Sequence, residues 1–115
     1  WADDAFRSLK SGKIESPVRH DTIADGLRTC LGTLTFPIVR ELVDDILLAN
    51  EEEIGAATLL MMFQAKVVAE PSGAVSLAAL LRNKDRFAGQ RVGVIVSGGN
   101  IDPSTLQRLI ADSTT

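Results

Sequence analysis

At 115 residues, with a net charge of −3 and a pI of about 5.0, the chain makes about one small domain and has no excess positive charge for nucleic acid or an anionic membrane. A hydrophobic content of 45% and a mean hydropathy of +0.15 supply a core and exclude disorder. No apolar run reaches the length of a membrane span, no signal peptide opens the chain, and a single cysteine forms no internal disulfide, so a cytoplasmic protein is expected.

The first residue is Trp rather than Met, so the chain is expected not to begin at a native start codon. Ala2 to Leu9 reads as a short helix ended by Ser11-Gly12, and Lys13 to Asp21 as a loop around Pro17. Ile23 to Leu31 is expected to be helical behind Asp21 or Thr22, with Cys30 on its apolar side. Pro37 to Val43 reads as a second helix, because proline is favoured in a first turn. Asp45 to Ala49 reads as a short strand. Asn50 caps the next helix: Glu53 stands where a capping box needs it, and Glu51, Glu52 and Glu53 suit the helix dipole. Ile54, Ala57, Thr58, Met61 and Ala65 recur at helical spacing on one face. Ser72 is expected to cap a further helix carrying Ala74, Val75, Leu77, Ala78 and Leu81, apolar nearly all round and so buried between layers. Val92 to Val96, short and β-branched, reads as a buried strand. Asp102-Pro103 opens a last helix with Leu106, Leu109 and Ile110 inward.

The densest functional signal follows that second strand. Ser97-Gly98-Gly99-Asn100 places a hydroxyl at the carboxyl end of an apolar run and two glycines directly after it. Such a turn lets a flat polar ligand approach the backbone and meet the hydroxyl with its edge. Strand-end turns of this composition also occur with no ligand. Three other segments precede it: Asp21-Thr22-Ile23-Ala24-Asp25-Gly26-Leu27, then Val43-Asp44-Asp45-Ile46 with Asn50-Glu51-Glu52-Glu53-Ile54, then Val67-Val68-Ala69-Glu70-Pro71-Ser72-Gly73-Ala74.

In this order and spacing the set resembles the pyridoxal-phosphate enzymes of the serine racemase and threonine dehydratase family. The resemblance runs from Ala2 to about Asp102 and covers only the C-terminal portion of such an enzyme. It implies an α/β fold: the C-terminal part of a tryptophan synthase beta-like large domain (fold type II), three-layered, with few strands in this chain. It implies pyridoxal phosphate as cofactor and a small amino acid as substrate. Ser97 matches the family serine that hydrogen-bonds the pyridine nitrogen. A hydroxyl there makes the ring a weaker electron sink than a carboxylate would, which suits β-elimination or proton exchange at Cα. Gly98, Gly99 and Asn100 shape the ring's pocket. Glu70 matches a carboxylate near the cofactor and reads equally as a helix-dipole carboxylate before Pro71. Gly26 matches a backbone position near the ring, or marks a helix irregularity.

Ala2-Asp3-Asp4-Ala5 matches the family's divalent-metal loop. There an upstream glutamate, the carbonyl at the alanine and the carboxylate of the second aspartate bind Mg²⁺ or Ca²⁺. Ala2 and Asp4 match, and the glutamate has no counterpart ahead of Trp1, so half the site is present; two aspartates at a helix N-terminus is the competing account. Lys66 is near a nucleotide pocket in racemase-like members, or is a solvated helix-end lysine. His20 reads as solvated. The lysine that carries the cofactor, a second catalytic serine and the glycine-rich phosphate loop belong upstream in the family, and Lys10, Lys13, Lys66 and Lys84 sit in no such motif.

Three functions are compatible with these residues. The chain is part of a serine or threonine dehydratase or racemase, inactive alone; or it is a non-catalytic remnant that oligomerises or binds a partner; or it is a small-ligand module. Few strands and an apolar helix at 73–82 leave surface to cover, so a homo-oligomer or a missing N-terminal part is expected.

Overall fold

A computed structural model describes residues 1–113. The chain divides into two units, Trp1–Leu48 and the residues from Ala49 onward. The first is built around helix α1 (Asp4–Ser11) and helix α2 (Thr35–Leu42). Gly12 ends α1 in the left-handed region at φ 72° and returns its N–H to the Ser8 carbonyl, as the Ser11-Gly12 pair predicts. Ser8 is fully buried; its hydroxyl donates to the Asp4 carbonyl at 2.6 Å and accepts the Glu15 N–H at 2.8 Å. Arg7 adds a 2.9 Å ion pair to Asp3 and a hydrogen bond to the Ser16 carbonyl, so α1 fastens the loop that follows it.

The helix expected over 23–31 is absent; one 3-10 turn, Asp25–Leu27, stands there. Short polar side chains compete with helical pairing. The buried Thr22 hydroxyl takes the Ala24 N–H at 3.1 Å and the Asp25 carboxylate takes the Gly26 N–H at 2.9 Å. The Thr22 carbonyl, which a helix would offer to Gly26, accepts the Arg28 guanidinium at 2.8 Å instead. Cys30, expected in the core, is therefore exposed. His20 is exposed as expected. Helix α2 starts two residues before Pro37. It buries Phe36 and leaves Leu34, Ile38 and Leu42, an i, i+4, i+8 stripe, 85%, 57% and 72% exposed.

In the second unit, helix α3 (Glu51–Leu60) opens with the expected capping box: the Asn50 side chain accepts the Glu53 N–H and the Glu53 carboxylate accepts the Asn50 N–H, both at 2.8 Å. Its buried residues include Ile54, Ala57 and Thr58, and it runs on into a π-helical turn, Met61–Ala65, where Met61 is buried and Ala65 exposed. Lys66 stops it in the left-handed region at φ 60°, with its ammonium on the Phe63 carbonyl at 2.8 Å. Helix α4 (Pro71–Arg82) packs along α3. Pro71 is its first residue and Glu70 holds the cap position, so Ser72 lies inside the helix and is not the cap; proline in the first turn sets the start one residue earlier. Only one side of α4 is buried, at Pro71, Gly73, Ala74 and Ala78, and Leu81 is exposed. Arg82 at its end pairs with Glu53 at 2.9 Å. Helix α5 (Pro103–Ser113) follows Asp102, whose carboxylate accepts the Thr105 N–H at 2.8 Å. Bonds from Ser104 and Thr105 hold that carboxyl well below the usual aspartate range. Leu109 of α5 meets α3 at Gly55, where an added Cβ would stand 3.0 Å from its side chain.

The strands expected at 45–49 and 92–96 do not form: among the described residues there is no strand. A strand exists only by hydrogen-bonding to a neighbour, and these runs have no extended partner in the described chain. Consequently the run expected to be buried is open, with Val92 43% and Ile95 80% exposed. No helix of the described residues is long and apolar enough to cross a membrane.

The capping box carries a pH-dependent contribution. The Asn50 N–H, with Arg82 assisting, holds the Glu53 carboxyl below its ordinary value of 4.5. A depressed folded-state pKa stabilises the fold above the unfolded value and is lost as pH falls through the folded one. Urea unfolding should show Glu53→Gln flattening the loss of stability below pH 4.5. Asn50→Ala should cost about 1 kcal/mol at neutral pH. An unchanged acid limb in Glu53→Gln would show that the box forms without consequence.

Candidate functional site

The site is assembled where the start of α4 meets the run 95–99. Glu70, preceding a proline, is held extended at φ −79° and ψ 161°. Its N–H donates to the Gly98 carbonyl at 3.1 Å. One turn on, the Gly73 backbone lies against Gly98: a Cβ at Gly73 would stand 2.5 Å from the Gly98 carbonyl oxygen and 3.0 Å from its nitrogen. A Cβ at Gly99 would stand 2.6 Å from the Val68 carbonyl, and one at Gly98 would overlap the Glu70 carboxylate. Gly73 and Gly99 are therefore required by close approach to backbone rather than by backbone angle, whereas Gly98 faces only the movable end of Glu70. A further turn along α4, the Ser76 hydroxyl donates to the Ile95 carbonyl at 2.8 Å.

Ser97 lies between these attachments with an exposed side chain, beside a half-buried Gly98 and an exposed Gly99 and Asn100. Glu70 is half-buried, its carboxylate beside Gly98 and at the N-terminal, positive end of α4. Ser97, Gly98, Gly99 and Glu70 are thus brought together as one group in the second unit. Gly26, exposed in the 3-10 turn, and Ala2 and Asp4 belong to the first. Asp4 is buried in the first turn of α1, and among the described residues no three His, Cys, Asp or Glu side chains converge to hold a metal ion. Gly73 and Ser76 were not singled out from sequence. With Glu70 they fall at i, i+3 and i+6, the spacing that makes successive members helix neighbours.

The close approaches at Gly73, Gly98 and Gly99 are contacts within the protein, and they hold the backbone beside an exposed Ser97. A serine hydroxyl there suits the edge of a flat heteroaromatic ring, since it can donate to a ring nitrogen or accept from it. Those residues fit pyridoxal phosphate at its pyridine edge.

Comparison with known proteins gives the family. Residues 2–98 match the family described as "Pyridoxal-phosphate dependent enzyme". The chain is 45% identical over 113 residues to the serine racemase of Dictyostelium discoideum, covering 95% of this chain and 35% of that protein. It is 45% identical over 104 residues to the L-threonine ammonia-lyase of Thermotoga maritima, covering 90% and 26%. Among solved structures, maize serine racemase superimposes with a TM-score of 0.83 at 41% identity, over 98% of this chain and 36% of that one. The chain belongs to the pyridoxal-phosphate dependent enzyme family. It spans about a third of the length of the Dictyostelium and maize racemases, and has the fold of the corresponding part of solved members.

The glycine contacts make a graded expectation. Gly73→Ala forces a backbone shift, an overpacking cost of about 1–3 kcal/mol against a helix-propensity gain of at most about 1 kcal/mol, and so lowers stability to urea. Gly98→Ala meets only the flexible end of Glu70 and is milder. A Gly73→Ala protein as stable as the parent would contradict the close approach.

Proposed function

We propose that the chain is the C-terminal part of a pyridoxal-phosphate enzyme that dehydrates or racemises serine, threonine or a related β-hydroxy amino acid. The observation that carries this reading is the exposed Ser97 hydroxyl standing beside the Glu70–Gly73–Gly98–Gly99 cradle. In the proposed complex Ser97 holds the pyridine nitrogen by a hydrogen bond. Gly98 and Gly99 admit the ring edge, Asn100 lines its rim, and Glu70 fixes the Gly98 carbonyl through its N–H. When bound, the cofactor withdraws electrons from the substrate Cα and makes its proton acidic. A hydroxyl partner leaves the ring nitrogen without a full positive charge, which limits how much carbanion character accumulates and suits β-elimination or proton exchange.

The lysine that anchors the cofactor is supplied from outside these 115 residues in this reading. Lys66 is engaged with the Phe63 carbonyl and lies in no motif of that kind. The sheet neighbours of 45–49 and 92–96 come from the same source. The exposed Leu34, Ile38, Leu42 and Ile95 support the companion proposal that the remainder of the enzyme, or a second copy, covers the chain. The structure adds no further ligand to the divalent-cation reading of Ala2 and Asp4.

The chain alone, incubated with pyridoxal phosphate and L-serine, should yield neither pyruvate nor D-serine above the free-cofactor background; turnover would refute the dependence on an external lysine. In the complete enzyme, Ser97→Asp should slow the reaction more than tenfold, or about 1.4 kcal/mol of barrier, with an altered cofactor absorption spectrum. A carboxylate there favours a protonated ring nitrogen. Parental turnover with an unchanged spectrum would leave Ser97 a turn residue and remove the assignment.

A further inference from the structure

We propose that Ser76 is a positioning residue for Ser97: its hydroxyl holds the Ile95 carbonyl and thereby sets the direction in which the Ser97 hydroxyl faces the ring. The inference rests on the reading that Ser97 meets the pyridine nitrogen. Its basis is geometric. A helical serine ordinarily donates to a carbonyl of its own helix, four residues back. The Ser76 hydroxyl instead crosses to Ile95, nineteen residues away, at 2.8 Å. Three residues further along the run, the Gly98 carbonyl accepts the Glu70 N–H at 3.1 Å. Ser97 therefore lies between two hydrogen bonds that both originate on the Glu70–Gly73–Ser76 row of α4, with Gly73 against Gly98 between them.

Among the described residues, the upstream end of the segment has little packing of its own, and in the complete enzyme sheet neighbours of 92–96 would share the task with Ser76. The Ile95 side chain is 80% exposed and Val96 is 38% exposed, so neither is held by deep packing. The Ser76 bond is the tie that precedes Ser97, and the Glu70 bond is the one that follows it. With the upstream tie removed, the peptides at 95–97 turn more freely and the Ser97 hydroxyl samples directions that miss a ring nitrogen. Ser76 is itself exposed, so truncating it opens no core cavity and the substitution reports on the hydrogen bond.

The test is a double-mutant cycle in the holoenzyme, read by the dissociation constant of pyridoxal phosphate and by the cofactor's absorption and fluorescence. Ser97→Ala should weaken binding and shift the spectrum. Ser76→Ala should weaken binding roughly three- to tenfold, the range one hydrogen bond carries, and shift the spectrum in the same sense. Ser76→Thr, which keeps the hydroxyl, should restore both. In the Ser97→Ala background, Ser76→Ala should have no further effect. An equal effect of Ser76→Ala with and without Ser97 would overturn the proposal, since the residue would then act on the fold in general. So would a parental Ser76→Ala protein beside a perturbed Ser97→Ala one. If Ser97→Ala itself leaves affinity and spectrum unchanged, the functional reading of Ser97 fails and takes this inference with it.

Discussion

Close approach between the first turn of α4 and the backbone at 98–99 is the constraint on which the site depends. It needs no Cβ at Gly73 and Gly99, where one would meet backbone, and it uses one backbone hydrogen bond, from Glu70 to Gly98. Each glycine loses more conformational entropy on folding than another residue would. Pro71 offsets part of that cost, since its φ is set before folding and it sits where a helix can do without an N–H.

What keeps α4 in place is its pairing with α3. The two helices run side by side, joined through small residues: Ala57 and Thr58 on α3 and Ala74 and Ala78 on α4 are all nearly fully buried. Small side chains let helix axes come close, and they leave little room for error in either helix's start. The capping box at Asn50 and Glu53 defines the start of α3, and the same Glu53 carboxylate meets Arg82 at the far end of α4. One carboxylate thus ties a helix start to a helix end. The Arg82 contact is largely exposed and worth little in isolation. It is consistent with the orientation that the buried α3–α4 packing sets, with the Arg82 end of α4 near the beginning of α3.

The same geometry accounts for the chain's unusual surface. A family member's α/β architecture requires sheet pairing, and the two runs that read as strands form no strand among the described residues. β-branched residues in an unpaired run gain nothing from the ladder, and their apolar side chains face outward, as Ile95 does. The exposed stripe of α2 belongs to the same pattern. A helix with an apolar stripe on one side and a single buried residue, Phe36, is a helix built to be covered. In the enzyme proposed above, that cover and the cofactor's lysine would come from the same remainder.

Local chemistry made much of this legible from sequence. Gly12 after Ser11, Asn50 three residues before Glu53, and Asp102 before Pro103 mark helix ends by hydrogen bonds within a few residues, and each is found where its side chains place it. The motif Ser97-Gly98-Gly99-Asn100 and the family were legible for a similar reason, since order and spacing survive in the chain itself. Where sequence reading failed, the deciding partner was elsewhere. Cys30 and the expected helix at 23–31 turned on which carbonyl the Arg28 guanidinium reached and which backbone N–H groups the Asp25 and Thr22 side chains accepted. The strands turned on neighbours that the described chain does not contain. That Gly73 must be glycine, and that Ser76 reaches Ile95, is decided only by α4 lying against the run 95–99, because an interatomic distance between residues about twenty positions or more apart is a property of packing and of no local pattern.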